Sequence, residues 1–374
     1  MADMLEARLT TDYAIPPGET LQVFLEDRNM TQADLARRMD RPLKTINEIV
    51  KGKAALTPQT ALQLERIFQM SASFWNKLEA NYREDQARLD ERKGLVTQVD
   101  WVKQFPIREM IKRGAPLQDS SDRVERVENM LRFFAVSSPS AWRRQLAVNG
   151  ALFRQSAAFA ASPPAVAAWL RWGEIDAEKM QCAPFEAESF KAVLKHVRAL
   201  TLEEDPGIFV PRVQHLSARA GVAVLFIPEL PKTRVSGATR WLTPSKAMII
   251  LSLRGKSHDR LWFTFFHEAG HILLHGRREG FIDSDPERTQ PPNAKEDEAN
   301  RFAQDLLIPP NEYKRIVKSH NNDGYTIKRF AKAIGIHPGI VVGRLQNDHE
   351  LDYSYCNDLK PRYRWPWEST EREG

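Results

Sequence analysis

Two histidines four residues apart give the clearest chemical signal in this sequence. Residues 262–275 are WFTFFHEAGHILLH, so His267, Glu268 and His271 form an HExxH motif. Residues four apart project from nearly the same side of a helix, and both imidazoles can therefore bind one zinc ion at about 2.1 Å. Glu268 stands beside them, where it can take a proton from a water molecule and pass it to a leaving amine. The motif predicts one zinc ion per chain and metal-assisted peptide hydrolysis.

A catalytic zinc ion takes a third protein ligand and keeps one position open. Residues 295–309, KEDEANRFAQDLLIP, predict a second helix that ends at Pro309. Glu298 adjoins its apolar face and is the expected third ligand. Glu296 and Asp297 are expected to be first-turn acids that complement the helix dipole.

His275 is the alternative ligand, because it follows His271 by four residues. It lies eight residues beyond His267, however, which is about 12 Å along a helix axis and too far for all three to bind one ion. We expect His275 to close the helix. The metzincin pattern is absent, since Leu274 and Arg277 occupy its glycine and third-histidine positions.

Two strand candidates and a helical segment precede the motif. Residues 222–227, VAVLFI, and 247–253, AMIILSL, are rich in β-forming residues and lead into a helix over about 259–275. An edge of the second strand is expected to pair with an extended substrate. Residues 276–295 are rich in Gly, Pro, Asp and Arg and predict a mobile surface loop. The segment from 101 to about 200 predicts helices without evident chemistry.

The N-terminal region has the start signals of short helices. Thr31 and Asp34 form a capping box, and the spacing predicts a helix-turn-helix with helices over 31–39 and 42–50. Between Arg37 and Lys53 the chain has six basic and two acidic residues, which favours contact with phosphates. The candidate DNA-binding residues are Gln32, Arg37, Lys44, Thr45, Asn47 and Lys51. Such folds commonly bind duplex DNA as two-fold dimers, so a homodimer is expected.

Two segments of the sequence resemble known protein families. Residues 17–62, with MTQADLA at 30–36 and TINEI at 45–49, are similar to the XRE-type helix-turn-helix of HigA-like antitoxins. Asp40 and Arg41 depart from that family, which usually has glycine and then an apolar residue in the turn. Residues 222–344, with HEAGH at 267–271 and EANRFA at 298–303, resemble the ImmA/IrrE zinc metallopeptidases. The resemblance implies a cytoplasmic gluzincin that cleaves an XRE-type repressor.

The expected fold is mainly α with a small β-sheet, an α+β chain. Its predicted parts are a five-helix DNA-binding domain (16–93), a helical connecting region (100–205), a gluzincin-like metallopeptidase domain (206–315) and a C-terminal helical subdomain (320–364). Only Cys182 and Cys356 are present, too few for a disulfide framework. The N-terminus lacks the layout of a signal peptide, and no apolar run approaches the roughly 18 residues of a membrane span. We expect a cytoplasmic protein.

The leading hypothesis is a DNA-binding transcriptional regulator whose zinc endopeptidase cleaves a repressor or its own chain. The alternative is a non-catalytic regulator or antitoxin whose zinc domain is a sensor or a toxin-binding surface. A third possibility is a peptidase whose helix-turn-helix recognises a protein. For the oxyanion-stabilising group, His275, His320 and Tyr325 remain unranked candidates.

Overall fold

Short capped helices make up the N-terminal part of the chain. The computed structural model describes residues 13–152, 162–276, 280–284, 294–319 and 322–365, without the side chains of 149–152 and 283–284. The chain divides into two units, Met1–Val99 and Asp100–Gly374. The first contains helices α1 (Pro17–Asp27), α2 (Gln32–Met39), α3 (Leu43–Val50), α4 (Pro58–Phe68) and α5 (Ala72–Val96).

Local sequence explains where these helices begin. The Thr31 hydroxyl accepts from the Asp34 amide while the Asp34 carboxylate accepts from the Thr31 amide, so the predicted capping box is confirmed. The Thr57 hydroxyl caps α4 in the same way, ahead of Pro58, whose missing amide costs nothing at the first position. The helices then bury one apolar core whose members include Leu21, Leu35, Ile46, Leu64, Phe68 and Trp75.

The turn between α2 and α3 accommodates both unusual residues. Asp40 adopts the left-handed conformation, with φ of 51° and ψ of 50°, which Asp tolerates better than most residues. The Arg41 side chain is half-buried, and its Nε donates to Oε1 of Gln63 on α4 at 2.8 Å. A charged residue is therefore accommodated at the usual apolar position because its head reaches a polar partner.

The second unit is helical around a small mixed sheet. Its helices are α6 (Ile107–Lys112), α7 (Arg123–Phe134), α8 (Pro139–Leu152), α9 (Pro163–Lys179), α10 (Ala187–Ala199), α11 (Pro206–Ala218), α12 (His258–Leu274), α13 (Ala294–Leu307), α14 (Pro310–Lys318), α15 (Gly324–Ile334) and α16 (Pro338–Asn347). The strands are β1 (Val222–Phe226), β2 (Val235–Thr243), β3 (Lys246–Leu251) and β4 (Phe281–Ser284). The expected mainly α fold with a small β-sheet is confirmed.

The strand order β1-β3-β2-β4 determines which edges a peptide can reach. β3 runs parallel to β1 and antiparallel to β2, and β2 pairs antiparallel with β4. The expectation of an exposed edge on the strand at 247–253 is therefore wrong, since β3 has a partner on both sides. Within the described residues, β1 and β4 are the outer strands of this sheet.

Helix α12 packs between the sheet and α13. A Cβ on Gly270 would lie 3.1 Å from the Phe302 ring and 3.3 Å from the Ala299 Cα, so glycine permits this close approach. Phe265, Phe266 and other apolar side chains of α12 are fully buried. The helix carrying the HExxH motif is thus fixed on two sides.

The predicted surface loop after α12 contains a short strand. The segment at 276–295, expected to be a surface loop, contains strand β4 at Phe281–Ser284. Residues 277–279 and 285–293 lie outside the described part.

The C-terminal pair α15 and α16 has a turn with left-handed Gly335, yet Ile340, Val341 and Leu345 of α16 are buried in the core. This pair therefore packs against the core of the second unit.

Among the described residues, no helix combines the length and apolar character that crossing a bilayer requires.

Candidate metal centre and DNA-binding surface

The two histidines of the motif face each other inside the fold. Their side chains are 3% and 1% exposed, and the Nε2 atoms of His267 and His271 are 3.0 Å apart. An Oε2 atom of Glu296 lies 3.1 Å from the first Nε2 and 3.5 Å from the second. These three residues form the group whose ligand atoms converge on one point.

The carboxylate that meets the two histidines belongs to Glu296, whereas the sequence led us to expect Glu298 as the third ligand. The helical period explains the difference: Glu296 lies within the stripe of Ala299, Ala303 and Leu307, the buried residues of α13, while Glu298 is turned to the other side of that stripe. Glu298 is 59% exposed in its side chain, and its Oε2 lies 3.2 Å from Nε2 of His275. His275 itself is the C-cap of α12, as expected.

A hydrogen bond orients one imidazole and a stacking contact orients the other. Nδ1 of His267 lies 2.9 Å from Oδ1 of Asn300, an acceptor, so this nitrogen carries the proton and Nε2 keeps its lone pair. The His271 ring stacks on Phe281 of β4, with ring centroids 3.8 Å apart and planes 13° apart. The sheet edge and α13 therefore each fix one ring of the pair.

The protonation states suit a cation. Burial lowers the pKa of the His271 imidazole to about 4, which keeps it neutral near pH 7. Burial would raise the pKa of the Glu296 carboxyl, but its close contacts with the imidazoles of His267 and His271 outweigh that effect and hold the pKa below its usual range. Neutral imidazole and ionised carboxylate are the ligating forms of these side chains.

The donor set fits zinc. Two imidazole nitrogens and a carboxylate oxygen meet at hydrogen-bond distances, and with a lone pair on each atom they would repel one another without a cation among them. Two histidines and one glutamate are a common ligand set of catalytic zinc sites.

Glu268 is enclosed within the fold. It is 0% exposed and follows His267 on α12. A Cβ on Gly237 of β2 would lie 2.8 Å from Glu268 Oε1 and 2.6 Å from Thr264 Cγ2. Glycine at this strand position leaves the room that the Glu268 carboxylate occupies.

Gly237→Ala is therefore expected to displace Glu268 and leave the zinc ligands in place. A shift of about 1 Å in a catalytic group can lower hydrolysis by about 100-fold. The measurement is the rate of peptide cleavage beside the zinc content of the same sample. Gly94→Ala is the control, because a Cβ there meets no described atom within 4 Å; equal rates in both variants would count against the crowding argument.

The other oxyanion candidates are Tyr325 and His320. Tyr325 is 74% exposed at the start of α15 and packs on Arg329. His320 falls outside the described part.

The DNA-binding candidates share one region of α2 and α3. Arg37 and Lys44 are largely exposed, with 79% and 85% of their side chains accessible, and they pair with Asp34 and Glu48 on their own helices. Thr45 is half-buried, and Lys51 is exposed at the end of α3.

Three amide side chains link the first helices. Nδ2 of Asn47 donates to Oε1 of Gln32 at 3.2 Å, and Nε2 of Gln32 donates to Oε1 of Gln22 at 3.3 Å. Gln32 and Asn47 are half-buried beside the exposed cations. Amides held in this way can hydrogen-bond base edges, and exposed cations can contact phosphates.

Sequence reasoning missed Glu296, Asn300, Phe281 and Gly237. The first two share the helical stripe of Ala303, so an angular projection of α13 would have found them. Phe281 lies in a four-residue strand within a Gly- and Pro-rich segment, where no periodicity marks it.

Comparisons with known families match the two units. The model of the IrrE N-terminal-like domain, peptidase family M78, matches residues 218–346, and a helix-turn-helix model matches residues 21–75. The first range contains the HExxH motif and Glu296, and the second contains α2 and α3.

Individual relatives match short stretches. Virulence-associated protein A of Dichelobacter nodosus is 38% identical over 68 residues, 18% of this chain and 67% of that protein. The uncharacterised HTH-type transcriptional regulator YddM of Escherichia coli (strain K12) is 34% identical over 63 residues, 17% of this chain and 67% of that protein.

Among solved structures, the Pseudomonas aeruginosa antitoxin HigA with the higBA promoter is 33% identical, with 22% of this chain and 89% of that chain covered at a TM-score of 0.21. An antidote protein of the HigA family from Coxiella burnetii is 27% identical, with 23% and 94% covered at a TM-score of 0.21.

The expected pairing of families is thereby confirmed: the chain has an XRE-type helix-turn-helix domain at its N-terminus and an IrrE/ImmA-like domain of the M78 peptidase family at its C-terminus.

Proposed function

We propose that this chain is a transcriptional regulator that binds operator DNA and also acts as a zinc-dependent endopeptidase on an XRE-type repressor or on its own chain. The observation that carries the peptidase half is the convergence of His267, His271 and Glu296 beside the buried Glu268. The M78 family match to the same residues supports it.

His267, His271 and Glu296 would hold the zinc ion, which when bound supplies a Lewis acid for the scissile carbonyl. Glu268 is the general base: its carboxylate takes a proton from the attacking water and delivers it to the leaving amine. Asn300 keeps the His267 ring in the ligating tautomer through its hydrogen bond to Nδ1.

β4 is the strand best placed to align a substrate. It pairs with β2 on one side and is an outer strand of the described sheet. Its Phe281 contacts the His271 ring. An extended segment that adds to β4 by main-chain hydrogen bonds would therefore run past the metal ligands.

Glu268→Gln tests the peptidase half of the proposal, because this variant should lose proteolysis and retain zinc. Salt-dependent binding to duplex DNA tests the regulatory half.

We further propose a homodimer on a two-fold operator, the usual arrangement of helix-turn-helix repressors.

Lys44→Ala is expected to weaken binding to duplex DNA at all sequences and to reduce its salt dependence. The slope of log K against log salt is negative, and one lost phosphate contact reduces its magnitude by about 0.9. Fluorescence anisotropy of labelled duplex DNA at several salt concentrations measures this slope. Lys93→Ala is the control, because Lys93 is an exposed lysine that pairs with Asp90 on its own helix, α5. An unchanged slope in Lys44→Ala would remove Lys44 from the interface. Duplex binding without salt dependence would contradict the DNA-binding proposal.

A further inference from the structure

We infer that His275 and Glu298 form a hydrogen-bonded relay that positions the metal-facing ring of His271. Nothing in the peptidase chemistry above uses these two residues. The inference rests on the proposed zinc site, and it gives Glu298 a role other than that of a direct ligand.

The contacts form a single line from solvent to the centre. Oε2 of Glu298 lies 3.2 Å from Nε2 of His275, and Nδ1 of His275 lies 2.9 Å from Nδ1 of His271. Nε2 of His271 then faces Nε2 of His267 and the Glu296 carboxylate. Each imidazole in this line uses both of its nitrogens.

Only one arrangement of protons satisfies every contact when His271 ligates a cation. Its Nε2 must offer a lone pair, so its proton resides on Nδ1 and is donated to His275. Nδ1 of His275 must then accept, which leaves the His275 proton on Nε2, where it is donated to the Glu298 carboxylate. Glu298 thus fixes the tautomer of His275, and His275 fixes that of His271.

The two outer residues of the line differ in their exposure to solvent. The His275 side chain is 3% exposed, whereas that of Glu298 is 59% exposed. A buried imidazole needs hydrogen-bond partners, and the described contacts provide one at each nitrogen. The ring also packs against Phe281, with centroids 5.1 Å apart, so the strand that stacks on His271 holds His275 as well.

The relay parallels the Asn300 contact on the other histidine. His267 has a neutral amide oxygen at Nδ1, while His271 has a histidine backed by a carboxylate. A carboxylate behind an imidazole raises the basicity of the ligating nitrogen and limits its rotation. The two ligands are therefore oriented by different means, and the second of them reaches solvent.

The test is a double-mutant cycle in zinc affinity on the full-length chain, measured by competition with a chromophoric chelator. His275→Phe keeps a ring against Phe281 but removes both nitrogens, and Glu298→Ala removes the terminal acceptor. Each is expected to weaken zinc binding by about 10- to 100-fold, as outer-sphere partners do. The double variant is expected to bind no more weakly than His275→Phe alone, because both act through one line of contacts. Glu298→Gln should restore part of the affinity, since its amide oxygen still accepts from His275.

Controls separate the relay from its alternatives. Asp297→Ala removes an exposed charge from the same turn and should leave affinity unchanged. The absorption bands of Co²⁺ bound to Glu298→Ala should match those of the wild type; altered bands would make Glu298 a ligand and overturn the relay. Wild-type affinity in both single variants, or additive losses in the double variant, would also overturn it while leaving the zinc site intact. A folded wild type that binds no zinc would overturn the proposed function together with the relay. Should His275→Phe fail to fold, the exposed Glu298 variants still carry the comparison.

Discussion

Glu268→Gln is expected to abolish peptide cleavage while the zinc site remains filled. Glutamine has nearly the same shape as glutamate but cannot accept a proton near pH 7, and general acid–base catalysis contributes about 100- to 10,000-fold to a rate. The side chain is 0% exposed and does not belong to the converging group of ligands, so the substitution removes the base alone.

Because the substrate is defined only by class, the measurement compares new protein N-termini in cells that express either form. Cleavage products should accumulate with the wild type and be missing with Glu268→Gln, and expression of the regulated genes should change with them. Equal zinc content in the two purified proteins is the control. The same N-termini and the same gene expression in both would contradict the peptidase proposal and favour the non-catalytic regulator.

Glu296→Ala is expected to reduce zinc affinity more than any change at Glu298. Structural zinc in zinc-finger peptides binds with about 10 to 16 kcal/mol shared among four ligands. On that scale, loss of one ligand costs about 3 kcal/mol, which is about 100-fold in affinity. Glu296 Oε2 lies within 3.5 Å of both histidine Nε2 atoms, whereas Glu298 contacts His275.

The order of the two variants decides the ligand assignment. In competition titrations, the zinc affinity of Glu296→Ala should be lower than that of Glu298→Ala, and the affinity of Asp297→Ala should be close to that of the wild type. The reverse order would return the third ligand to Glu298, the residue that the sequence favoured, and would contradict the geometry of α13. Circular dichroism of the metal-free variants checks that each one is folded.

Much of this site follows from the sequence because its signals are local. His267 and His271 are four apart on one helix, and the apolar residues around them predict its burial. The capping residues Thr31 and Thr57 likewise set helix starts through contacts within one turn. Such features depend on neighbours a few residues away, so a single sequence is sufficient to identify them.

The errors arise where long-range packing decides. Glu296 and Glu298 are two residues apart and chemically identical, and only the rotation of α13 against α12 selects the one that faces the histidines. The close approach at Gly270 and Ala299 fixes that rotation. Its only trace in the sequence is the angular projection of the apolar residues of α13. Strand β4 owes its existence to pairing with β2, so its Phe281 could not be assigned to the site from a segment that has the composition of a loop.

The central claim, that one chain joins a DNA-binding domain to a zinc peptidase centre, is tested most directly by metal content. Protein purified without added zinc or chelator would be analysed by mass spectrometry as the wild type and as His271→Ala and Glu296→Ala. We expect about one zinc per chain in the wild type and almost none in either variant. A well-folded wild type without bound metal would contradict the peptidase centre and leave a regulator whose C-terminal domain does not use zinc.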